Sequence, residues 1–260
     1  MIGAIIGDIA GSTYEFEGNK DSSVDLFPPE SNYTDDTIMT VATAHAIVRG
    51  IGFQEAYLMY GHLYPTPMGG YGSGFRAWLR QENPIPYGSW GNGSAMRVSP
   101  IGWASRNLDE ALRQAANSAS VTHNHPEGIK GAQATVSAIW LARNGKTKRE
   151  IREHIERNFE YNLSRSTDEV RLDYAFNESC QGTVPEAIIA FLASDDFEGA
   201  IRIAISLGGD ADTVGCITGA IAHAFYREIP DYMRSKVDAL VPAALKEVIS
   251  EFSTKFPGIN

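Results

Sequence analysis

Gly208-Gly209-Asp210-Ala211-Asp212-Thr213 runs directly into Val214-Gly215-Cys216-Ile217-Thr218-Gly219-Ala220-Ile221-Ala222-His223-Ala224-Phe225. Val214, Ile217 and Ile221 recur at helical spacing, so Thr213 to Phe225 is expected to form a helix with an acidic start. Gly215, Gly219, Ala220 and Ala222 make the helix small-sided and fit it for close packing on a neighbour. Working outward, the same period recurs. Ile38, Val41, Ala42 and Ala46 precede Gly50, a C-terminal stop. Leu108, Ala111, Leu112, Ala115 and Ala116 repeat the spacing. Pro126 suits the first turn of a helix reaching Ala142 and ending at Gly145. Thr147-Lys148-Arg149-Glu150 reads as a capping box ahead of Ile151 and Ile155. Further helices are expected over Pro185 to Ala193, Phe197 to Leu207 and Leu240 to Phe252. Strand-type alternation is not sustained anywhere. The expectation is all-α: one compact multi-helix domain over residues 1–260, with polar connections 17–34, 64–75, 83–94 and 122–126 gathered around one site.

The bulk numbers agree with a globular chain and narrow its partners. Of 260 residues, 43% are hydrophobic and 21% charged, enough for a well-buried core. Thirty-two Asp and Glu against 22 Lys and Arg give a net charge of −10, with no basic block interleaved with aromatics. Binding nucleic acid by its backbone is therefore not expected. An anionic ligand can still bind where metals or backbone amides supply positive field. Cys180 and Cys216 lack a nearby thiol or His at ligand spacing and read as reduced, buried thiols of a cytoplasmic protein. Met1 to Ala10 is apolar but has no basic leader and carries Asp8, so neither a signal peptide nor a membrane span is expected.

Two stretches carry chemistry. Tyr33-Thr34-Asp35-Asp36-Thr37 places adjacent carboxylates at the start of the Ile38 helix. Alone, it reads first as a helix cap complementing the dipole. Asp210-Ala211-Asp212-Thr213 offers a second set of carboxylate and hydroxyl oxygens, donors suited to Mg²⁺ or Mn²⁺. If the two starts face each other, four carboxylates share one space and need cations to do so. Together the two motifs point to a binuclear centre.

These motifs sit in an order that resembles the ADP-ribosylglycohydrolase family, which includes the dinitrogenase-reductase-activating glycohydrolases. Gly7-Asp8-Ile9-Ala10-Gly11-Ser12 followed by Glu15 comes first. Thr34-Asp35-Asp36-Thr37, Gly91-Asn92-Gly93-Ser94-Ala95-Met96-Arg97 and Gly209-Asp210-Ala211-Asp212-Thr213 follow, spanning residues 7 to 213. The resemblance implies an all-α fold and two Mg²⁺ or Mn²⁺ ions held by Thr34, Asp35 and Asp36 on one side. Asp210, Asp212 and Thr213 would hold them from the other, with Asp212 bridging. Catalysis is implied for Glu15 and Asp36, although Glu15 alone, between Tyr14 and Phe16, would pass for an ordinary carboxylate.

The Gly-rich stretch Gly69-Gly70-Tyr71-Gly72-Ser73-Gly74-Phe75 can present backbone N–H groups to a diphosphate, with Gly72, Ser73 and Gly74 as contacts. By itself it equally reads as a flexible turn. The resemblance implies that Trp90 stacks on adenine and that Ser89, Gly91, Asn92 and His123 touch the ligand. Tyr87 is a candidate for adenine's other face, and His125 reads as structural at its helix start. The reaction implied is hydrolysis of the glycosidic bond between ADP-ribose and a protein side chain or small conjugate. Glu15 acts as general acid or base and the metals fix a water and the ribose hydroxyls. Two alternatives stay open: a two-metal nucleotide or diphosphate phosphohydrolase, and an ADP-ribose-binding module without turnover. The long, charged segment 17–32 reads as a lid or a passive surface loop.

Overall fold

The helical period read from the sequence is the organising feature of the structure, a computed structural model that describes residues 1–257. In chain order the helices are Ile2–Gly11, Asp35–Arg49, Phe53–Leu63, Ser73–Leu79, Gly93–Met96, Ser99–Ala104, Leu108–Ser120 and Pro126–Arg143. Lys148–Phe159, Thr167–Asp173, Cys180–Ala193, Phe197–Ile205, Ala211–Tyr226, Asp231–Leu240 and Ala243–Lys255 complete the series. Among the described residues extended pairing is confined to two isolated bridges, Thr34 with Met68 and Gly91 with Ser179. No described helix is long and apolar enough to cross a membrane.

The centre is an antiparallel pair, Ile2–Gly11 against Ala211–Tyr226, held so close that side chains are sterically barred. A Cβ on Gly7 would lie 1.9 Å from the Gly215 carbonyl oxygen, one on Gly3 2.3 Å from that of Gly219, and one on Gly11 2.2 Å from that of Ala211. Glycine at every fourth position is what permits this approach, and its consequence is positional. The C-terminal end of the first helix, which leads into Glu15, is set beside the acidic start of Ala211–Tyr226. The small residues at 215 and 219 were visible in the sequence, but their partner helix was not. Residues 1–10 read there only as an apolar segment.

Several helix starts are closed by side-chain caps, those at Thr34 and Thr147 as their sequences predict. Thr34, Asn107 and Thr147 accept backbone N–H groups, the last in a full capping box, and Pro126 sits in the first turn of its helix behind a His125 cap. Gly50 ends the Asp35–Arg49 helix at φ 70°. Two expectations change. The helix expected from Pro185 begins at Cys180, capped by Ser179; Pro185 is tolerated because the carbonyl it leaves unpaired belongs to exposed Gln181. The helix expected from Leu240 to Phe252 is two, Asp231–Leu240 and Ala243–Lys255. Pro242 bars the residue before it from helical geometry, and Val241 is extended. One apolar cluster runs from Met1 through Ile217 to Phe252.

Candidate active site

Thr34 caps the Asp35–Arg49 helix, and Asp8 from the first helix holds that cap in place. Asp8 is fully buried and accepts from Thr34 N (3.1 Å), Thr34 Oγ1 (2.7 Å), Thr37 N (3.0 Å) and Thr37 Oγ1. Burial pushes its carboxyl up to about 6 even though those bonds pull the other way. Asp8 stands in the first of the four motifs, but its place under the Thr34 cap was not assigned from sequence. A lone Asp amid Ile and Ala was itself the signal, since such a group must be fully paired. Thr34 does not border the cavity; its hydroxyl is shared between Asp8 and the Asp36 amide.

With that turn pinned, Asp35 and Asp36 face the second acidic start across a cleft. Thr213 Oγ1 lies 3.4 Å from Asp36 Oδ2. Oxygens of Glu15, Asp210 and Asp212 all come within 4.8 Å of one another. Burial, then the charge of Asp212, raises Asp35 and Asp36 well above the usual carboxylate range. Burial, then repulsion from Asp210, does the same to Asp212. Burial lifts Asp210 to about 6, held back by bonds from Asp212 and from Asn92 Nδ2 (2.6 Å). Glu15 is driven to about 8 by burial, then by Asp212, Asp8 and Glu178. Asp36 Oδ1 is buried with no hydrogen-bond partner. An orphaned, oxygen-rich set of this kind fits a hard divalent cation.

The cleft opens into a cavity of about 270 Å³, at the small end of ligand sites, which run from about 300 Å³ upward. Its lining brings together Glu15, Asp35, Asp36, Asp210, Asp212 and Thr213 with Gly72, Ser73, Gly74, Ser89, Gly91, Asn92 and His123. It also includes residues not singled out as contacts from sequence: Met39, Phe75, Arg97 and Glu178. Arg97 lies in the third motif, but its partners Ser118, Thr122 and Tyr57 come from other segments of the chain and give it no local signal as a cavity residue. Tyr87 forms a wall, packed so tightly on Gly74 that a Cβ there would lie 2.7 Å from its ring. Trp90 is not in the lining. It is 53% exposed, with its ring tilted on His125 at 5.4 Å between centroids. Asn92 lines the cavity, but its amide nitrogen is committed to Asp210 and to Thr183 Oγ1 at 3.0 Å. Segment 17–32 contributes no lining residue and is tied down. Lys20 Nζ donates to the Tyr174 and Leu207 carbonyls, each at 2.6 Å, and Arg202 Nη1 to that of Val24 at 3.0 Å.

Fold and cavity define an all-α protein with a deep acidic cleft. Comparison with known proteins makes this specific: the ADP-ribosylglycohydrolase family model matches residues 1–258. Mouse ADP-ribosylhydrolase ARH3 is 26% identical, the match covering 89% of this chain and 84% of that protein. ADP-ribosylarginine hydrolase Tri1 of Pseudomonas putida is 28% identical over 87% of this chain and 69% of its own. ADP-ribosyl-[dinitrogen reductase] glycohydrolase of Rhodospirillum rubrum is 23% identical over 96% and 92%. A solved structure described as an ADP-ribosylglycohydrolase-related protein complex shares the fold, with TM-score 0.74, 23% identity and coverage of 100% and 97%. The chain belongs to the ADP-ribosylglycohydrolase family and is an enzyme that hydrolyses ADP-ribose glycosidic linkages.

Proposed function

We propose that this enzyme releases ADP-ribose from an ADP-ribosylated protein or a small ADP-ribose conjugate, using two Mg²⁺ or Mn²⁺ ions. The observation that carries the metal reading is the convergence of Glu15, Asp210 and Asp212 oxygens opposite Asp36, whose Oδ1 has no partner. Asp35, Asp36, Asp210, Asp212 and Thr213 would hold the ions, with Thr34 at the edge of the set. When bound, such ions supply Lewis acidity and a water of lowered pKa. The chain's own residues do the rest. Glu15, its carboxyl raised without metal to about 8 by burial and then by the charges of Asp212, Asp8 and Glu178, is placed to exchange a proton with the leaving group or the attacking water. Asp36 carries negative charge beside the sugar as the bond breaks. Gly72, Ser73 and Gly74, with Ser89, Gly91 and Asn92, line the diphosphate side, and Tyr87 offers a flat face to the base.

Two broader readings accompany this one. Residues 1–260 act as one domain, supported by an apolar cluster reaching from Met1 to Phe252. The compartment is cytoplasmic, in keeping with two free buried thiols. The test of activity is incubation of the Mn²⁺-loaded protein with ADP-ribosyl-arginine peptide, ADP-ribosyl-serine peptide and O-acetyl-ADP-ribose. Free ADP-ribose from at least one is expected. Release of AMP or phosphate instead would transfer the centre to phosphorus chemistry and overturn the proposal.

A further inference from the structure

His123 borders the cavity and yet is only 6% exposed. Its Nδ1 lies 2.6 Å from Thr122 Oγ1. Arg97 Nη2 donates to that same oxygen at 3.0 Å and to the Ser118 carbonyl at 2.7 Å. The guanidinium is buried and rests on the Tyr57 ring, 4.2 Å from its centroid, so its position is well defined. A guanidinium can only donate, which occupies one lone pair of Thr122 Oγ1. The hydroxyl proton then has one recorded acceptor among the described residues, His123 Nδ1. The reverse arrangement, Nδ1–H directed at the oxygen, would leave that hydroxyl proton buried without an acceptor, since Thr122 is wholly enclosed.

We propose that Arg97 and Thr122 are positioning residues that lock His123 as the Nε2–H tautomer, a fixed neutral donor to a phosphate oxygen of the ligand. Nε2 makes no hydrogen bond among the described residues, and it faces the Gly91–Gly93 turn. A Cβ on Gly93 would stand 3.2 Å from it and one on Gly91 3.5 Å. Burial, then the Arg97 charge, holds the imidazole well below its usual range, which keeps the ring neutral as the relay requires. The phosphate partner rests on the ADP-ribose reading above; the tautomer rests only on Arg97 and Thr122.

The test uses full-length protein labelled with ¹⁵N at histidine, its His123 signals assigned by their loss in His123→Gln. Two-bond ¹H–¹⁵N correlation at pH 7 should show a proton on Nε2 and none on Nδ1. Thr122→Val should scramble the tautomer and weaken ADP-ribose binding by about tenfold in calorimetry; Thr122→Ser should restore both. A purely structural Thr122 would lose stability without altering the ring. A proton on Nδ1 in the wild type overturns the relay without any variant, and so does a Thr122→Val protein that keeps Nε2–H and full affinity. If the wild type shows Nε2–H but ignores ADP-ribose, the relay stands and the ligand reading fails. If it binds ADP-ribose with Nδ1–H, the reverse holds.

Discussion

Glu15 sits where burial and three neighbouring carboxylates oppose its ionisation, with its carboxyl against the Gly69 turn. Gly69, at φ +72°, closes on it so tightly that a Cβ there would lie 2.6 Å from Oε2. A group that moves a proton in the transition state affects turnover more than binding. Glu15→Gln, which keeps size and polarity, is therefore expected to lower the hydrolysis rate about a hundredfold or more, with ADP-ribose affinity little changed. Rate and calorimetric affinity from one preparation decide this; a fully active variant removes the acid role. The aromatic pair Tyr87 and Trp90 yields a second prediction at this scale. Loss of a base-stacking ring costs about 1–3 kcal/mol, so Tyr87→Ala should weaken ADP-ribose at least fivefold while Trp90→Ala changes it less than twofold. Equal losses would place adenine between the two rings, and no loss from either would place it elsewhere. The acidic ligand candidates were legible in sequence because each set lies within four consecutive residues at a helix start. The orientation of Trp90 was not, because adjacency to Gly91 says nothing about which side of the chain the cavity occupies.

At the scale of elements, the catalytic geometry depends on how two helices touch. Gly3, Gly7 and Gly11 meet Gly219, Gly215 and Ala211 backbone to backbone, so no side-chain rotation can relieve an added methyl. Gly7→Ala should cost about 3 kcal/mol or more, in the range of severe overpacking. It should also weaken metal binding, because separating these helices shifts Glu15 from Asp212. Gly52→Ala is the control: nothing lies within 4 Å of its Cβ, and it should stay within about 0.5 kcal/mol of wild type. Urea denaturation and metal titration of both variants test the claim, and a Gly7→Ala protein of normal stability contradicts it. Much of this level could be read from the sequence: the helical period, the Gly50 stop and the Thr147 capping box are local signals. The pairing of Ile2–Gly11 with Ala211–Tyr226 could not, since it joins segments about two hundred residues apart through atoms of the backbone. Pro242 is itself a local signal of a break, one that the apolar spacing on either side masks.

Across the whole molecule, the acidic centre sets how stability responds to pH and to metal. Carboxyls with raised folded-state values contribute fully below their unfolded value of about 4, and that contribution is lost as pH climbs through the folded one. Here the losses run to about 6 for Asp8 and Asp210 and to about 8 for Glu15, with Asp35, Asp36 and Asp212 also raised. His123 and His223 act oppositely. Burial depresses both, so their contribution is present above about 6.5 and is lost as pH falls. Between pH 8 and 6.5 the carboxyls therefore dominate, and the metal-free protein should gain several degrees of Tm as pH is lowered across that window. Cations that neutralise the same oxygens do what protons do. Mn²⁺ or Mg²⁺ at about a hundred times Kd should add about 2.7 kcal/mol, or about 5–10 °C for a chain of this size, and should flatten the pH dependence. Asp212→Asn separates this account from ordinary packing. Removing one buried charge should leave the metal-free variant at least as stable as wild type at pH 8, while most of the metal-induced shift disappears. Thermal scans of both proteins at pH 8 and 6.5, with and without metal, measure every part of this. A variant that is less stable without metal and yet keeps the full metal shift would mean that Asp212 is a structural carboxylate and that the ions bind elsewhere.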